Sequence, residues 1–434
     1  MMTRRLLPTV AVLGLAASTL AAQEPRRVTL DEALRLAAQN SPTMVTARQD
    51  IRVAQWGQRT ALGAFLPSLS TSASGSTSGA QRIDATTGRP VNTGSLINES
   101  YGLSANLDLF TGFRRGANRR VAQATLSLRE ASRLRQEYAV ALSTKQAFFT
   151  ALATTELVAV AETRLRRAGE QLNLVSEKLR LGATTRSDSL RSRVEYGNAQ
   201  LTLIQARANE RNAQATLARA IGSDVLVAPV PDTTLEIRLG PLDTALLRRE
   251  ALAAAPTVQE AQASVVSTRA GLAATRAAYL PTISSSGSMS WARADSVLWG
   301  PKPLTNSWNV RISVSYPLFN GFQRESNLAT ADANVTSADA RLRDARLFLD
   351  ANLTQALAGL EAAAAKIDIA RVSVAAAEED LRMQRERYRL GTSTIIEVLT
   401  TQVSLDQAQV DLVSARYDYL VARAQLEAYV GHSL

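Results

Sequence analysis

LDLFTGFRRG (Leu107–Gly116) and YPLFNGFQRE (Tyr316–Glu325) are near-copies within one chain of 434 residues. Ahead of each copy apolar and polar residues alternate, the period of a strand with two unlike faces. Behind each copy glycine and proline become rare and Ala, Arg, Leu and Gln take over, a helix-forming composition. The same Leu-Phe-x-Gly-Phe hinge therefore converts a strand into a long helix twice.

Other landmarks repeat with it. Pro42 and Pro67 recur as Pro256 and Pro281 at one common offset. The hinge, the Leu-Gly pairs Leu181-Gly182 and Leu390-Gly391, and the endings Ile221-Gly222 and Val430-Gly431 recur at a second, slightly smaller offset. The offset changes once, among the strands, so loops there differ in length while the helices match. A period of about 210 residues is too long for a solenoid unit and marks a duplicated half. The halves are residues 23–222 and 242–434, joined by a proline-containing linker, 223–241. In each, short helices (from Leu30 and Leu242, then after Ser41-Pro42 and Ala255-Pro256) end at Leu-Pro. Strand runs follow at about 68–78 and 100–110, and at about 282–292 and 307–318. The long helices are expected from about Arg114 to Arg180 and from Gln323 to Arg389, roughly 100 Å each, with a return helix after each Leu-Gly turn.

The first residues, MMTRRLLPTVAVLGLAASTLAAQEP, carry Arg4 and Arg5, a short apolar run and small residues near Ala22. That is the pattern of a cleaved secretory signal, assigned to residues 1–22. No later apolar run is long enough for a transmembrane helix, so entry into a membrane requires a β-barrel. Cysteine is absent and His432 is the single histidine, which removes disulfides, thiolate chemistry and most metal-ligand sets. No nucleophile–base pair, metal cluster or phosphate loop is visible; no cofactor and no enzymatic activity are expected. The net charge of +10 is dispersed along helices among Glu and Asp, which argues against nucleic acid as a partner.

Trp308, Val310, Ile312, Val314, Tyr316 and Leu318 share one strand face; Asn309, Arg311, Ser313 and Ser315 share the other. Tyr101, Leu103, Ala105, Leu107 and Leu109 alternate likewise with polar or small residues. Runs of about ten residues with aromatic ends suit a membrane barrel. Four strands cannot close one, and an open edge is not tolerated in lipid, so eight strands from a dimer or twelve from a trimer are required. On the last helix Val398, Leu405, Leu412, Tyr419 and Leu426 form one seven-residue series, and Ile396, Val403, Val410, Tyr417 and Ala424 form another. The two lie about 200° apart. Two apolar stripes suit a helix with neighbours on both sides, as in a cylinder wall.

The repeated Leu-Pro, the repeated hinge and RYRLGTSTIIEVLTTQ (Arg387–Gln402) together resemble the TolC family of outer-membrane efflux proteins, over nearly the whole chain after the leader. With the patterns above, the resemblance implies a mixed α and β membrane protein, mainly α. A long antiparallel α-helical coiled-coil barrel would continue a transmembrane β-barrel of four strands per chain and twelve per homotrimer. It implies an exit duct of a tripartite efflux or type I secretion system, in the outer membrane with a long periplasmic portion. Its partners would be outer-membrane lipid, a periplasmic adaptor (membrane fusion) protein and, through it, an inner-membrane transporter. Periplasmic tips matching the family motif are Leu181, Gly182, Ala183, Thr184 and Leu390, Gly391, Thr392, Ser393, the expected adaptor contacts. Asp188, Tyr388 and Glu397 match residues that close the entrance. Ser393 and Thr400 depart from the family pattern, which has a basic and an acidic residue there, so fewer ionic links and a single acidic ring are implied. Asp188 and Glu397 also read as ordinary first-turn acids. Phe110, Gly112, Phe113, Phe319, Gly321 and Phe322 form the barrel–tunnel hinge, the phenylalanines packing in the junction or at the membrane interface. The competing reading is a periplasmic coiled-coil protein without a channel.

Overall fold

The computed structural model describes residues 25–231 and 244–432. The leader and part of the linker lie outside them. The elements are β1 (Arg26–Val28), α1 (Leu30–Asn40), α2 (Pro42–Gly63), β2 (Ser68–Ile83), β3 (Pro90–Thr111), α3 (Arg114–Arg180), α4 (Arg186–Ile221), β4 (Val227–Pro229), α5 (Thr244–Ala254), α6 (Pro256–Arg276), β5 (Thr282–Asp295), β6 (Thr305–Ser315), α7 (Gln323–Arg389) and α8 (Ile395–Val430). A 3-10 turn, Ala277–Tyr279, follows α6. Both long helices have 67 residues and both return helices 36, so the duplication is structural as well as sequential. No described helix is long and apolar enough to cross a membrane.

The described residues fall in two compact units, within Met1–Ala37, Ser143–Ile237 and Ile367–Tyr417, and within Ala38–Leu142, Arg238–Lys366 and Asp418–Leu434. Each takes segments from both repeats, because helices of one repeat bury their stripes against helices of the other. In the first unit Val175, Leu381, Tyr388, Ile395, Val398 and Leu405 form one buried cluster. Strand β1 pairs in parallel with β4, Arg26 opposite Val227 and Val28 opposite Pro229. The stretch read from sequence as linker thus contains a short strand. Val28 and Val227 are fully buried there.

The second unit holds a four-stranded antiparallel sheet in the order β2-β3-β5-β6. Met44, Leu353, Leu426 and Val430 are buried among its helices. Ser41 occupies the N-cap position of α2 and Pro42 its first turn, but the Ser41 hydroxyl meets Thr43 Oγ1 at 2.6 Å instead of capping a backbone N–H. The sheet sorts its faces as the alternation requires. Hydroxyl pairs cross the polar face: Ser70–Ser104 and Ser74–Ser100 at 2.7 Å, Ser284–Ser313 and Ser290–Ser307 at 2.8 Å. Tyr101 opposite Trp291, Leu103 opposite Met289, and Trp308 opposite Met289 lie on the apolar face.

Three sequence expectations change in detail. Strands β2 and β3 run on to Ile83 and start from Pro90, so Tyr101 lies inside β3 and not at its end. A bulge between Asp108 and Phe110 puts Phe110 opposite Ile283, so Phe110 joins the apolar face in place of Leu109. Strand β6 stops at Ser315. Pro317 has no N–H for a ladder, and Tyr316 and Leu318 fall beyond the strand.

Candidate functional site

Each copy of the hinge motif carries a glycine, the residue that turns a chain most freely. The structure uses two residues in each copy. Gly112 and Phe113 have φ of 59° and 64°; Gly321 and Phe322 have 65° and 62°. A phenylalanine in the left-handed region costs about 1–2 kcal/mol. It is offset by ring packing: Phe110–Phe113 centroids lie 5.3 Å apart at 86°, and Phe319–Phe322 5.4 Å apart at 90°. Edge-to-face pairs contribute about 0.5–1.5 kcal/mol. The variable residue of the motif starts the helix, since Thr111 Oγ1 accepts the Arg115 N–H at 3.3 Å and Asn320 Oδ1 the Arg324 N–H at 3.5 Å. Two arginines missed from sequence brace the bend. Arg115 donates to the Leu109 carbonyl at 2.9 Å and the Ala64 carbonyl at 3.3 Å, its guanidinium 4.9 Å from the Phe65 ring centroid. Arg324 donates to the Pro317 and Leu318 carbonyls at 3.1 and 3.4 Å, 5.1 Å from the Tyr279 ring centroid. The sequence signal was an arginine two positions after the last hinge phenylalanine in both copies.

The copies differ in one respect. A Cβ on Gly112 would lie 2.6 Å from the Ala277 carbonyl oxygen and 2.7 Å from Leu280 Cβ; one on Gly321 would meet nothing within 4 Å. The first hinge is thus packed by the Leu-Pro corner of the second repeat. The second hinge is open within the chain, with Phe319 exposed where its counterpart Phe110 is half-buried.

At the tips, Gly182 and Gly391 adopt φ of 73° and 81°, and the next residue closes each helix: Ala183 N–H to the Lys178 carbonyl and Thr392 N–H to the Arg387 carbonyl, both 2.8 Å. Thr185 and Asp188 form a reciprocal capping box at the start of α4. Asp188 also accepts from Thr184 Oγ1 at 2.8 Å, and Thr184 Oγ1 lies 3.5 Å from the Tyr388 hydroxyl. Tyr388 is held more firmly by burial and by Lys178. The Lys178 ammonium donates to the Tyr388 carbonyl at 2.6 Å and sits 4.3 Å from its ring centroid. Burial works to raise the Asp188 pKa. The hydrogen bonds from Thr184 and Thr185 and the charge of Arg191 outweigh it and hold the carboxyl below the ordinary 3.8. Among the expected gate residues, Asp188 and Tyr388 meet around Thr184. Glu397 stands apart: it accepts from Ser393 Oγ at 2.6 Å, and Ser393 also reaches Gln384 Oε1 at 3.1 Å. Leu181, Leu390 and Glu397 are exposed.

A further ionic cluster of the first unit had no sequence signal. Asp406, on α8, takes Arg167 at 2.6 Å and Arg164 at 3.1 Å, both from α3. Arg164 also reaches Glu195 of α4 at 2.7 Å. Burial is the strongest influence on Asp406 and pushes its carboxyl up, against the pull of Arg167 and Arg164. The cluster ties three helices, and loss of the carboxylate would leave the buried Arg167 guanidinium without its ionic partner while Arg164 keeps Glu195. No group of metal-ligating side chains occurs among the described residues.

The family model for outer membrane efflux proteins matches residues 33–223 and 247–432, one match per repeat. The chain belongs to the outer membrane efflux protein family. This outer membrane efflux protein is 25% identical over 422 residues to BepC of Brucella suis, across 95% of this chain and 87% of that one. It is 27% identical over 335 residues to the alkaline protease secretion protein AprF of Pseudomonas aeruginosa, across 75% of this chain and 66% of that one. Its fold superposes on the outer membrane protein VceC of Vibrio cholerae with a TM-score of 0.73, at 18% identity, covering 93% of this chain and 96% of that one. The fold is thus a helical barrel with a β domain, and the efflux protein resides in the outer membrane as a channel of an export system. The relatives are channel proteins and not enzymes.

Proposed function

We propose that the efflux protein works as a homotrimer whose twelve strands close one outer-membrane barrel, a passive exit duct with no chemistry of its own. One observation carries this. The sheet has the order β2-β3-β5-β6, so β2 and β6 are edges, and β6 is exposed on both faces. Lipid does not tolerate such an edge, and pairing β6 with β2 of a neighbour removes it. Three copies leave a lumen, which the serine-rich face lines; eight strands would fill with side chains. The same neighbour supplies what the second hinge lacks. By the duplication, its Gly63–Leu66 corner stands to Gly321 as Ala277–Leu280 stands to Gly112. On α4, Leu190, Val194, Leu201 and Ile204 are exposed at helical spacing and would be covered by an adjacent chain.

In this reading the tips 181–184 and 390–393 dock a periplasmic adaptor, which couples the duct to an inner-membrane transporter. Asp188, Thr184, Lys178 and Tyr388 hold the entrance shut, and Glu397 contributes an acidic ring. The phenylalanines of the hinge sit at the membrane interface. Light scattering of the detergent-purified protein should give three chains per particle, and planar bilayers should show discrete pore conductance. A monodisperse monomer, or a trimer that never conducts, would sink the proposal.

A further inference from the structure

The apolar face of the sheet is interrupted at one end. Glu99, Arg293 and Asp295 continue the face that carries Tyr101, Trp291, Leu103 and Met289, since Glu99 pairs with Arg293 two positions beyond the Tyr101–Trp291 pair. Charged groups on a lipid-facing strand face are costly. Here they are covered: Glu99 and Asp295 are buried although they lie on the outside of the sheet. The cover is the β5–β6 loop, residues 296–304, which folds down over them.

The loop is tightly specified. Arg293 donates to Glu99 Oε2 through Nε at 2.9 Å and Nη2 at 2.7 Å, and to the Gly300 carbonyl at 2.8 Å. Glu99 accepts the Trp299 backbone N–H with its other oxygen. Asp295 accepts from Ser296 N–H at 2.7 Å and Lys302 N–H at 3.3 Å. A Cβ on Gly300 would lie 2.2 Å from Asp295 Oδ2, so only glycine lets the loop lie this close. Trp299 is held at φ 54°, a backbone region that a bulky side chain rarely occupies. The product of this scaffolding is an apolar knob. Val297 and Leu298 are each 54% exposed and Trp299 73%.

The position of the knob identifies what covers it. From Phe110 to Tyr101 the strand climbs roughly 30 Å, or about 23 Å along the normal at a tilt of about 40°, which matches the apolar band of a membrane barrel. Tyr101, Trp291 and Trp308 then mark the outer interface, and Glu99 lies about 7 Å further along the strand. The loop is on the apolar side of the sheet, opposite the serine ladder, so it cannot plug a lumen. It hangs on the outer perimeter at headgroup depth, continuous with the lipid-facing surface below it. Tryptophan is favoured at that depth, its ring half in hydrocarbon. We infer that Val297-Leu298-Trp299 is an interfacial anchor, built to insert into the outer-leaflet boundary of the surrounding lipid. The buried Glu99 and Asp295, with Arg293 between strand and loop, serve as the bracket that points the knob outward.

This rests on the reading that the apolar sheet face meets lipid, and the test separates the two. Because the protein has no cysteine, Trp299→Cys, Thr86→Cys and Val310→Cys each accept one nitroxide label. Thr86 is in the exposed β2–β3 turn and Val310 on the apolar face of β6. Assembled protein is reconstituted in phosphatidylethanolamine–phosphatidylglycerol vesicles, and the accessibility of each label to oxygen and to a water-soluble nickel chelate is read by power saturation. The expected result is an oxygen-to-nickel ratio several-fold higher at 299 than at 86, though below that at 310. A label at 299 as nickel-accessible as that at 86 overturns the anchor while a lipid-immersed 310 preserves the barrel. A label at 299 shielded from both reagents means that another chain covers the knob, and also overturns it. A water-exposed 310 would bring down the membrane reading itself.

Discussion

Gly112 and Gly321 occupy equivalent places in a repeated motif and have the same backbone, yet their surroundings differ. Alanine at either position adopts a left-handed conformation at a cost of about 1–2 kcal/mol. Only at 112 does the new methyl also strike the Ala277 carbonyl and Leu280, an overpacking that costs about 1–3 kcal/mol more. Gly112→Ala should therefore lower the thermal midpoint of the dissociated protomer more than Gly321→Ala does. Gly321→Ala should instead lower the fraction of trimer that survives in mild detergent. An undiminished trimer fraction in Gly321→Ala would show that the second hinge has no neighbour to meet. At this scale the sequence was readable where a residue type has one use, as at the positive-φ glycines of the tips. It did not disclose Phe113 and Phe322 in the same conformation, because their strain is tolerated only through a ring pair that forms after folding.

The cap at the start of α4 is a titratable device. The folded Asp188 pKa lies below the ordinary 3.8 because the carboxylate accepts from Thr184 and Thr185. A depressed acid stabilises the fold fully above its unfolded pKa and loses that contribution as pH falls through the folded value. Amide exchange at residues 186–189, corrected for intrinsic rates, should therefore be flat at neutral pH and accelerate below about pH 4. Asp188→Asn should remove the acid-induced change. Persistence of that change in the variant would assign it to another group. The long helices were legible end to end in the sequence, since good helix formers run unbroken between a hinge and a Leu-Gly stop. The pairing of β1 with β4 was not: each strand has three residues, too few for any periodicity, and their partners lie some two hundred positions apart. The extended tip of β2 escaped notice for another reason. Gly79 and Gln81 carry little strand preference alone, and the tip becomes a strand through its antiparallel pairing with β3, Gln81 opposite Asn92 and Ile83 opposite Pro90.

Across the whole molecule, each compact unit draws on both repeats, so neither repeat is complete by itself. The Asp406 cluster illustrates why such partnerships stay hidden in a sequence: Arg164 and Arg167 belong to one repeat and Asp406 to the other, with nothing in their local patterns to connect them. The open second hinge has a consequence of a historical kind. Gly112 already receives, within its own chain, the contact that Gly321 would obtain from a neighbour in the proposed trimer. A ring of six unfused half-chains, each passing its corner to the next hinge, would contain only one kind of joint. Fusion of two such halves makes every second joint intramolecular and leaves the alternate ones between subunits. Cutting the chain within residues 232–243 and co-producing the two pieces, each behind the 1–22 leader, should then yield conducting particles of six polypeptides, and exported pieces that remain apart would show that the fused connection has become indispensable.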